Sequence, residues 1–405
     1  MSLPSSCDVL VIGAGPAGSS AAALLHKAGY SVAVVEKQKF PRFVIGESLL
    51  PRVMDLLTEA DLLQAASARG YTVKQGALFL RHEERCDFTF AEQFTPGWDH
   101  TWQVPREDFD KTLADAVEGR GVPFAYEHEV VAVDFSGAPV VTVADTSGRK
   151  QTVRSRFVID ASGYGRALPR LLDLDLPSSS PPRKAVFAHL RGDRRKPGPD
   201  ENRIWIVCLD SGAWVWVIPF SNGLTSFGIV GTPESVARYP ENPGECLRAV
   251  IASDANFERL RHAEFAFEPR TLSGYSCAVK RMHGPGFALV GNATEFLDPV
   301  FSSGVTLALE SANRAAKTLI RQLQGETVDW ENDYAAYMRR GIEVFRTYVN
   351  TWYDGSLPRL FFEVKPAASV KQMICSVLAG YAWDLNNPFV REHERKMAQV
   401  ARLTS

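Results

Sequence analysis

Cysteine is scarce and scattered: six in 405 residues, Cys7, Cys86, Cys208, Cys246, Cys277 and Cys375, with no C-x-x-C pair among them. That spacing excludes the usual zinc site and dithiol redox pair, and free, reduced thiols are expected. No uncharged apolar run reaches the ~20 residues needed to cross a bilayer. The opening MSLPSSCDVLVIG lacks the charged and long apolar regions of a secretion signal, so a cytoplasmic location is expected. An excess of charge is missing too, with 45 Lys+Arg against 47 Asp+Glu. That leaves no footprint for nucleic acid and no polybasic membrane anchor. No internal repeat is visible at any fixed spacing. What remains, 45% hydrophobic and 23% charged, is an ordinary globular composition. The length allows two or three domains, or one large α/β domain with a subdomain set into it.

What is there begins with a β-branched apolar run at 7–13 (CDVLVIG), a glycine turn, and an Ala/Leu-rich helical segment at 17–27. Residues 31–36 (SVAVVE) are a second strand, which predicts the right-handed βαβ start of a parallel sheet. Further on, 50–68 reads as a helix, 75–81 as a strand, and 107–118 as a helix opened by Pro105. Residues 157–160 (FVID) return to the sheet. A Pro-, Ser- and Arg-rich stretch spans 177–200, interrupted by an apolar run at 185–190, and strands follow at 203–209, 213–219 and 224–230. They predict a second, antiparallel sheet roofing an active site. Residues 287–290 (FALV) are again a buried strand, 303–324 a helix, and 329–403 mostly helical.

Gly13-Ala14-Gly15-Pro16-Ala17-Gly18 is G-x-G-x-x-G in its required setting, with a strand before it, a helix after it and Glu36 closing the next strand. Gly13 permits the turn, Gly15 lets a pyrophosphate approach the backbone, and Gly18 lets helix and sheet pack closely. The phosphates rest on the helix N-terminus, where free N–H groups and the dipole favour an anion. Glu36 takes the adenosine ribose hydroxyls. Two more strands end in small residues: FVIDASG, with Asp160, Ala161 and Gly163, and the Gly291-Asn292-Ala293-Thr294 segment. Either alone also fits a plain strand end. Together the three are similar to the nucleotide-contacting segments of the large FAD monooxygenase superfamily, which implies FAD. The expected fold is α/β: a Rossmann-type, glutathione-reductase-like FAD-binding domain (1–170 and 275–325), an inserted antiparallel-sheet substrate domain (171–274) and a helical C-terminal region (326–405).

Trp214-Val215-Trp216-Val217-Ile218-Pro219 reads W-x-W-x-I-P, and Phe40-Pro41-Arg42 precedes Gly46-Glu47-Ser48-Leu49-Leu50-Pro51. Near the last strand stands Asp298-Pro299-Val300-Phe301-Ser302-Ser303-Gly304-Val305. From Val9 to about Asn313 the chain resembles the flavin-dependent halogenases, the tryptophan-halogenase-like branch of that superfamily. The resemblance implies that Lys74 is the essential lysine between flavin and substrate chamber. Hypohalous acid made from halide, O2 and reduced FAD must be held and aimed. An amine does this by hydrogen bonding or as a haloamine, and can donate a proton. A solvated strand-edge lysine is the ordinary alternative. The halide would sit on the N–H groups of Ser303 and Gly304, residues that a simple helix start also explains. Trp214 and Trp216, two apart on a strand, share a face and would wall off the flavin side; a plain hydrophobic roof is the alternative. The resemblance further implies cofactor contacts at Ala17, Lys37, Arg42, Ser48, Arg106, Asn292, Asp298, Gly304 and Val305. For Arg106 an exposed helix-end arginine is the alternative.

Two positions depart from the family pattern. Asn292 stands where an Asp usually binds the ribityl chain, and it can still accept a hydrogen bond. Phe301 replaces the catalytic glutamate of the tryptophan halogenases, so a phenol- or pyrrole-like ring, or a polyene precursor, is expected in place of tryptophan. The aromatics Tyr348, Trp352, Tyr353, Phe361, Phe362, Tyr381, Trp383 and Phe389 line the chamber or are core. The C-terminal portion is shorter than in phenolic halogenases, which would open the chamber to a bulky or carrier-protein-tethered substrate. No second nucleotide motif appears, so a separate flavin reductase would supply reduced FAD. The expected function is FAD-dependent halogenation with chloride or bromide in secondary metabolism. A monooxygenase or other oxidoreductase on the same scaffold, or a flavoprotein that only carries a pigment precursor, are the competing readings.

Overall fold

A computed structural model describes residues 3–177 and 181–404; positions 178–180 of the Pro/Ser/Arg-rich stretch lie outside them. β1 (Ser6–Ile12), α1 (Pro16–Lys27) and β2 (Val32–Glu36) form the βαβ unit that the sequence pattern predicts. In the first sheet Phe287–Leu289, Lys150–Asp160, β1, β2 and Phe124–Tyr126 run parallel in that order. Both faces of β1 and β2 are apolar because both are covered. Val9, Val11, Val32 and Val34 pack with α1 and the Gly304–Leu323 helix, while Leu10, Ile12, Ala33 and Val35 pack with the hairpin His128–Asp134/Val140–Asp145. The register aligns Ile12 with Val35 and Asp160, and Asp160 with Leu289. Three strand ends therefore open on one crevice, the place where open α/β sheets bind ligands.

The second sheet is mixed and extends beyond residues 171–274. Its strand order is Glu264–Phe265, Lys184–Arg191, Thr225–Gly231, Trp214–Pro219, Trp205–Cys208, Gly76–Arg81, Glu84–Thr89, with Arg270–Ser273 also on Lys184–Arg191. The pair Trp205–Cys208/Gly76–Arg81 is parallel, so a hairpin from the N-terminal third completes a sheet otherwise built later in the chain. Both faces are buried. Trp214, Trp216 and Phe187 face the cofactor domain, and Val215, Val217 and Val186 face the Pro243–Ser253 helix.

The helix expected over 50–68 is two, Arg52–Glu59 and Leu63–Ser67, because Asp61 takes φ +55° between them. The C-terminal region is helical, with Ala336–Tyr353, Ala368–Leu378 and His393–Leu403 packing their buried residues into the main core. All six cysteines are free thiols. Among the described residues no helix is long and apolar enough to cross a membrane, and no cluster of His, Cys, Asp or Glu could hold a metal ion.

Candidate functional site

The glycine turn is as tight as its motif requires. Gly13 sits at φ +99°, and a Cβ there would lie 2.4 Å from the Ala161 carbonyl oxygen. A Cβ on Gly18 would meet the Gly13 carbonyl oxygen at 1.9 Å, so helix and strand can pack only with glycine present. Gly15 caps α1 without a side-chain acceptor, and Ala17 is buried against the turn. The Arg42 guanidinium is the neighbour of Gly15, 3.2 Å from where a Cβ would stand, and lies 3.4 Å from Asp110. A helix N-terminus, a bare backbone and an arginine fit a pyrophosphate. Glu36 accepts the Ala14 N–H at 2.9 Å, which brings its carboxylate to the turn where a ribose would lie. Lys37 points elsewhere, paired with Glu129 on the surface at 2.7 Å.

The second and third segments meet the first. Ala161 donates its N–H to Ile12 at 2.8 Å, and Gly163 takes φ +60°. The Asp160 carboxylate is consumed by backbone, accepting N–H groups from Ser162 at 2.8 Å and Leu168 at 2.7 Å. It shapes the turn and has little left for a cofactor. Gly291, at φ +60°, gives its N–H to Ser311 at 2.8 Å, and the Asn292 carbonyl receives Arg166 at 3.3 Å. Ser303 is buried and starts the Gly304–Leu323 helix without capping it through its side chain, with Val305 buried behind it. The Thr306 hydroxyl one turn in is buried and without a hydrogen-bond partner among the described residues. The Ser48 hydroxyl, in the Gly46–Pro51 loop, is likewise buried and unpartnered among the described residues. These orphaned hydroxyls and the glycine cradle fit FAD.

Arg106 is buried, which removes the exposed helix-end alternative. It grips Asp110 through Nε at 2.8 Å and Nη2 at 3.0 Å, and its Nη1 reaches the carbonyls of Ile45 and Gly46 at 3.1 and 3.2 Å. Arg106 thus fastens the 46–51 loop. The same loop carries the carbonyl that holds Lys74.

Lys74 ends the short strand Thr72–Lys74 and is 3% exposed, so the solvated strand-edge alternative fails. Its ammonium donates to the Leu49 carbonyl at 2.8 Å and lies 5.4 Å from the centre of the Phe90 ring. Both contacts favour the charged form, but burial outweighs them and lowers its pKa from 10.5 to about 7. An amine so placed is neutral or charged at little cost near neutral pH, as proton donation and halogen transfer require.

Trp214 and Trp216 share the cofactor-facing side of their strand, ring centres 6.0 Å apart. Trp216 is anchored by Ser226 at 2.9 Å. Trp214 donates to the Tyr353 hydroxyl at 3.0 Å, which donates in turn to Asp298 at 2.8 Å. Asp298 also accepts the Val300 N–H at 3.1 Å, and burial raises its pKa to about 6 against these hydrogen bonds. Phe301 stands edge-on to Trp352 and Tyr348, at 5.8 and 6.3 Å, so these C-terminal aromatics are part of the buried core.

Sequence reasoning missed two members of this neighbourhood and named a third without its role. Tyr353 was one of eight aromatics with no feature to single it out. Arg183 stacks 3.8 Å from the Tyr353 ring, and nothing in its local sequence signals burial. His189 meets Glu47 of the 46–51 loop at 2.5 Å, ringed by Phe43, Phe220 and Phe267. The alternation of that strand could have placed His189 on the Phe187 face, but not its partner.

Residues 6–344 match the FAD binding domain family, and the chain belongs to it. A 1H-pyrrole-2-carbonyl peptidyl-carrier protein brominase of Pseudoalteromonas luteoviolacea is 30% identical over 82% of this chain and 81% of its own. A flavoprotein/dehydrogenase from Cytophaga hutchinsonii has a crystal structure 50% identical to this chain, covering 98% of each, with a TM-score of 0.95. A triple mutant of the flavin-dependent brominase Bmp2 is 25% identical over 97% of this chain and 100% of its own, with a TM-score of 0.84. Within the FAD-binding family this chain belongs to the flavin-dependent halogenases.

Proposed function

We propose that this halogenase-family protein uses chloride or bromide to halogenate an electron-rich aromatic substrate, phenol- or pyrrole-like, with Lys74 directing the hypohalous acid. FAD, when bound and reduced, supplies the oxygen-activating chemistry. The observation that carries the reading is Lys74: 3% exposed, fixed by Leu49 and with a pKa lowered to about 7. In this reading the Leu49 carbonyl orients the amine, the Trp214/Trp216 wall keeps the flavin side from the substrate, and the Ser303–Gly304 turn receives the halide. Phe301 removes the carboxylate that a poorly activated ring would need, which supports a substrate already electron-rich. The pyrrole-carrier brominase among its relatives supports a tethered pyrrole as one such substrate. Reduced FAD would come from a separate reductase.

The test is a single turnover: holoenzyme reduced anaerobically, then mixed with O2, bromide and a simple phenol. A brominated product in the wild type and none in Lys74→Ala, with FAD retained in both, is expected. Full halogenation by Lys74→Ala would remove the role given to that residue. A second reading, oxidation without halogenation, is favoured by the 50% identity to a flavoprotein/dehydrogenase. Oxygen incorporation, or NAD(P)H consumption without a partner reductase, would select it.

A further inference from the structure

Arg183 is a buried cation with no ion-pair partner among the described residues. It is 9% exposed, its guanidinium lies 3.8 Å from the Tyr353 ring centre, and its one hydrogen bond among the described residues is a long contact to the Pro182 carbonyl at 3.4 Å. Among the described residues no carboxylate lies within ion-pair distance of it. The two carboxylates that feel its charge are otherwise placed: Glu234 is at the surface, and Asp298 is held by Tyr353 and Val300. Burying a cation without a partner is costly, and proteins keep such charges where a ligand completes them.

A second orphan stands beside it. The Tyr275 hydroxyl is buried, has no hydrogen-bond partner of good geometry among the described residues, and lies close to the Asp298 carboxylate. Tyr275 follows the Arg270–Ser273 strand, which pairs with Lys184–Arg191 just after Arg183, and the intervening Gly274 N–H donates to the Arg183 carbonyl at 3.2 Å. Through Tyr353 the pair connects to Asp298, the first residue of the 298–305 segment, and to Trp214 of the chamber wall.

We propose that Arg183, assisted by the Tyr275 hydroxyl, binds an oxyanion carried by the aromatic substrate, a carboxylate or a group of the same charge and shape. With the tyrosine ring covering its face, the guanidinium keeps its N–H donors around the edge, where a two-oxygen acceptor fits as a fork. A spherical halide gains nothing from that geometry. The placement of this site in the substrate chamber rests on the halogenase reading.

The test reads binding, not turnover. Oxidised holoenzyme is titrated calorimetrically with 3-hydroxybenzoate and with 3-hydroxybenzamide, which match in shape but differ in that the acid carries a negative charge and a second acceptor oxygen where the amide has a neutral NH2 donor. The wild type should bind the acid at least tenfold more tightly than the amide. Arg183→Met should abolish the preference, Arg183→Lys retain part of it, and Tyr275→Phe weaken acid binding a few-fold, all with FAD retained. Acid binding no tighter than amide binding, or a preference that survives Arg183→Met, overturns the proposal. So does release of FAD by both Arg183 variants, which would assign the guanidinium to the cofactor. Competitive displacement of the acid by bromide would assign it to the halide and also overturn it. Since no product is measured, failure of the halogenase reading would leave these outcomes legible.

Discussion

Replacing Lys74 with methionine should stabilise the fold while abolishing halogenation. The amine is 3% exposed and its pKa falls from 10.5 to about 7 because burial penalises the charged form. At about 1.36 kcal/mol per tenfold change in proton affinity, the charged form stands about 5 kcal/mol above its level in the unfolded chain. The folded value lies below the unfolded one, so between about 7 and 10.5 the unfolded chain holds a proton that the folded chain lacks. Stability of the wild type therefore rises with pH through that window and is flat, with the penalty at its full size, below it. Methionine fills a similar volume and does not titrate. It forfeits the Leu49 hydrogen bond, 2.8 Å in the wild type, and leaves a buried carbonyl unmatched, a loss of about 1 to 3 kcal/mol. The net expectation at pH 7 is a gain of about 2 to 4 kcal/mol for Lys74→Met, shrinking by about 2 to 3 kcal/mol at pH 9. Urea unfolding of both proteins at the two pH values, followed by tryptophan fluorescence, measures the difference and cancels every other titrating group. A variant less stable at pH 7, or a difference indifferent to pH, would mean that the fold accommodates the ammonium, and the reasoning from burial would fail.

Gly18→Ala places a methyl 1.9 Å from the Gly13 carbonyl oxygen. It should lose FAD and at least about 3 kcal/mol of stability, read as flavin released on gel filtration and as a lower urea midpoint; normal FAD content would refute the packing argument. Gly228→Ala drives a methyl to 2.4 Å from the Trp216 ring and should cost about 1 to 3 kcal/mol with a shift in tryptophan fluorescence. Tyr353→Phe removes the hydroxyl hydrogen bond that lowers the Asp298 pKa, so that value should climb further above about 6. The acidic limb of the turnover–pH profile should move to higher pH; an unmoved limb would show that Asp298 does not titrate during turnover.

The local sequence by itself determined the cofactor cradle. Gly13, Gly15 and Gly18 act within one strand–turn–helix unit whose spacing is visible along the chain, and each is needed at a contact only a bare backbone permits. The parallel core was legible for the same reason, since strands covered on both faces must be continuously apolar. Trp214 and Trp216 could be set on one face by the period of two of a strand. Lys74 could be named from its neighbours, but not its burial, because the Leu49 carbonyl and Phe90 ring reach it from other segments. Only the tertiary structure decided that Arg106 is interior, that Asp160 serves the backbone, and that residues 76–89 complete a sheet formed mainly a hundred residues later. It alone joined Trp214, Tyr353 and Asp298 and left Arg183 without an ion-pair partner among the described residues. Such groups are 55 to 139 residues apart, and no local propensity encodes a contact made by three elements packing at once.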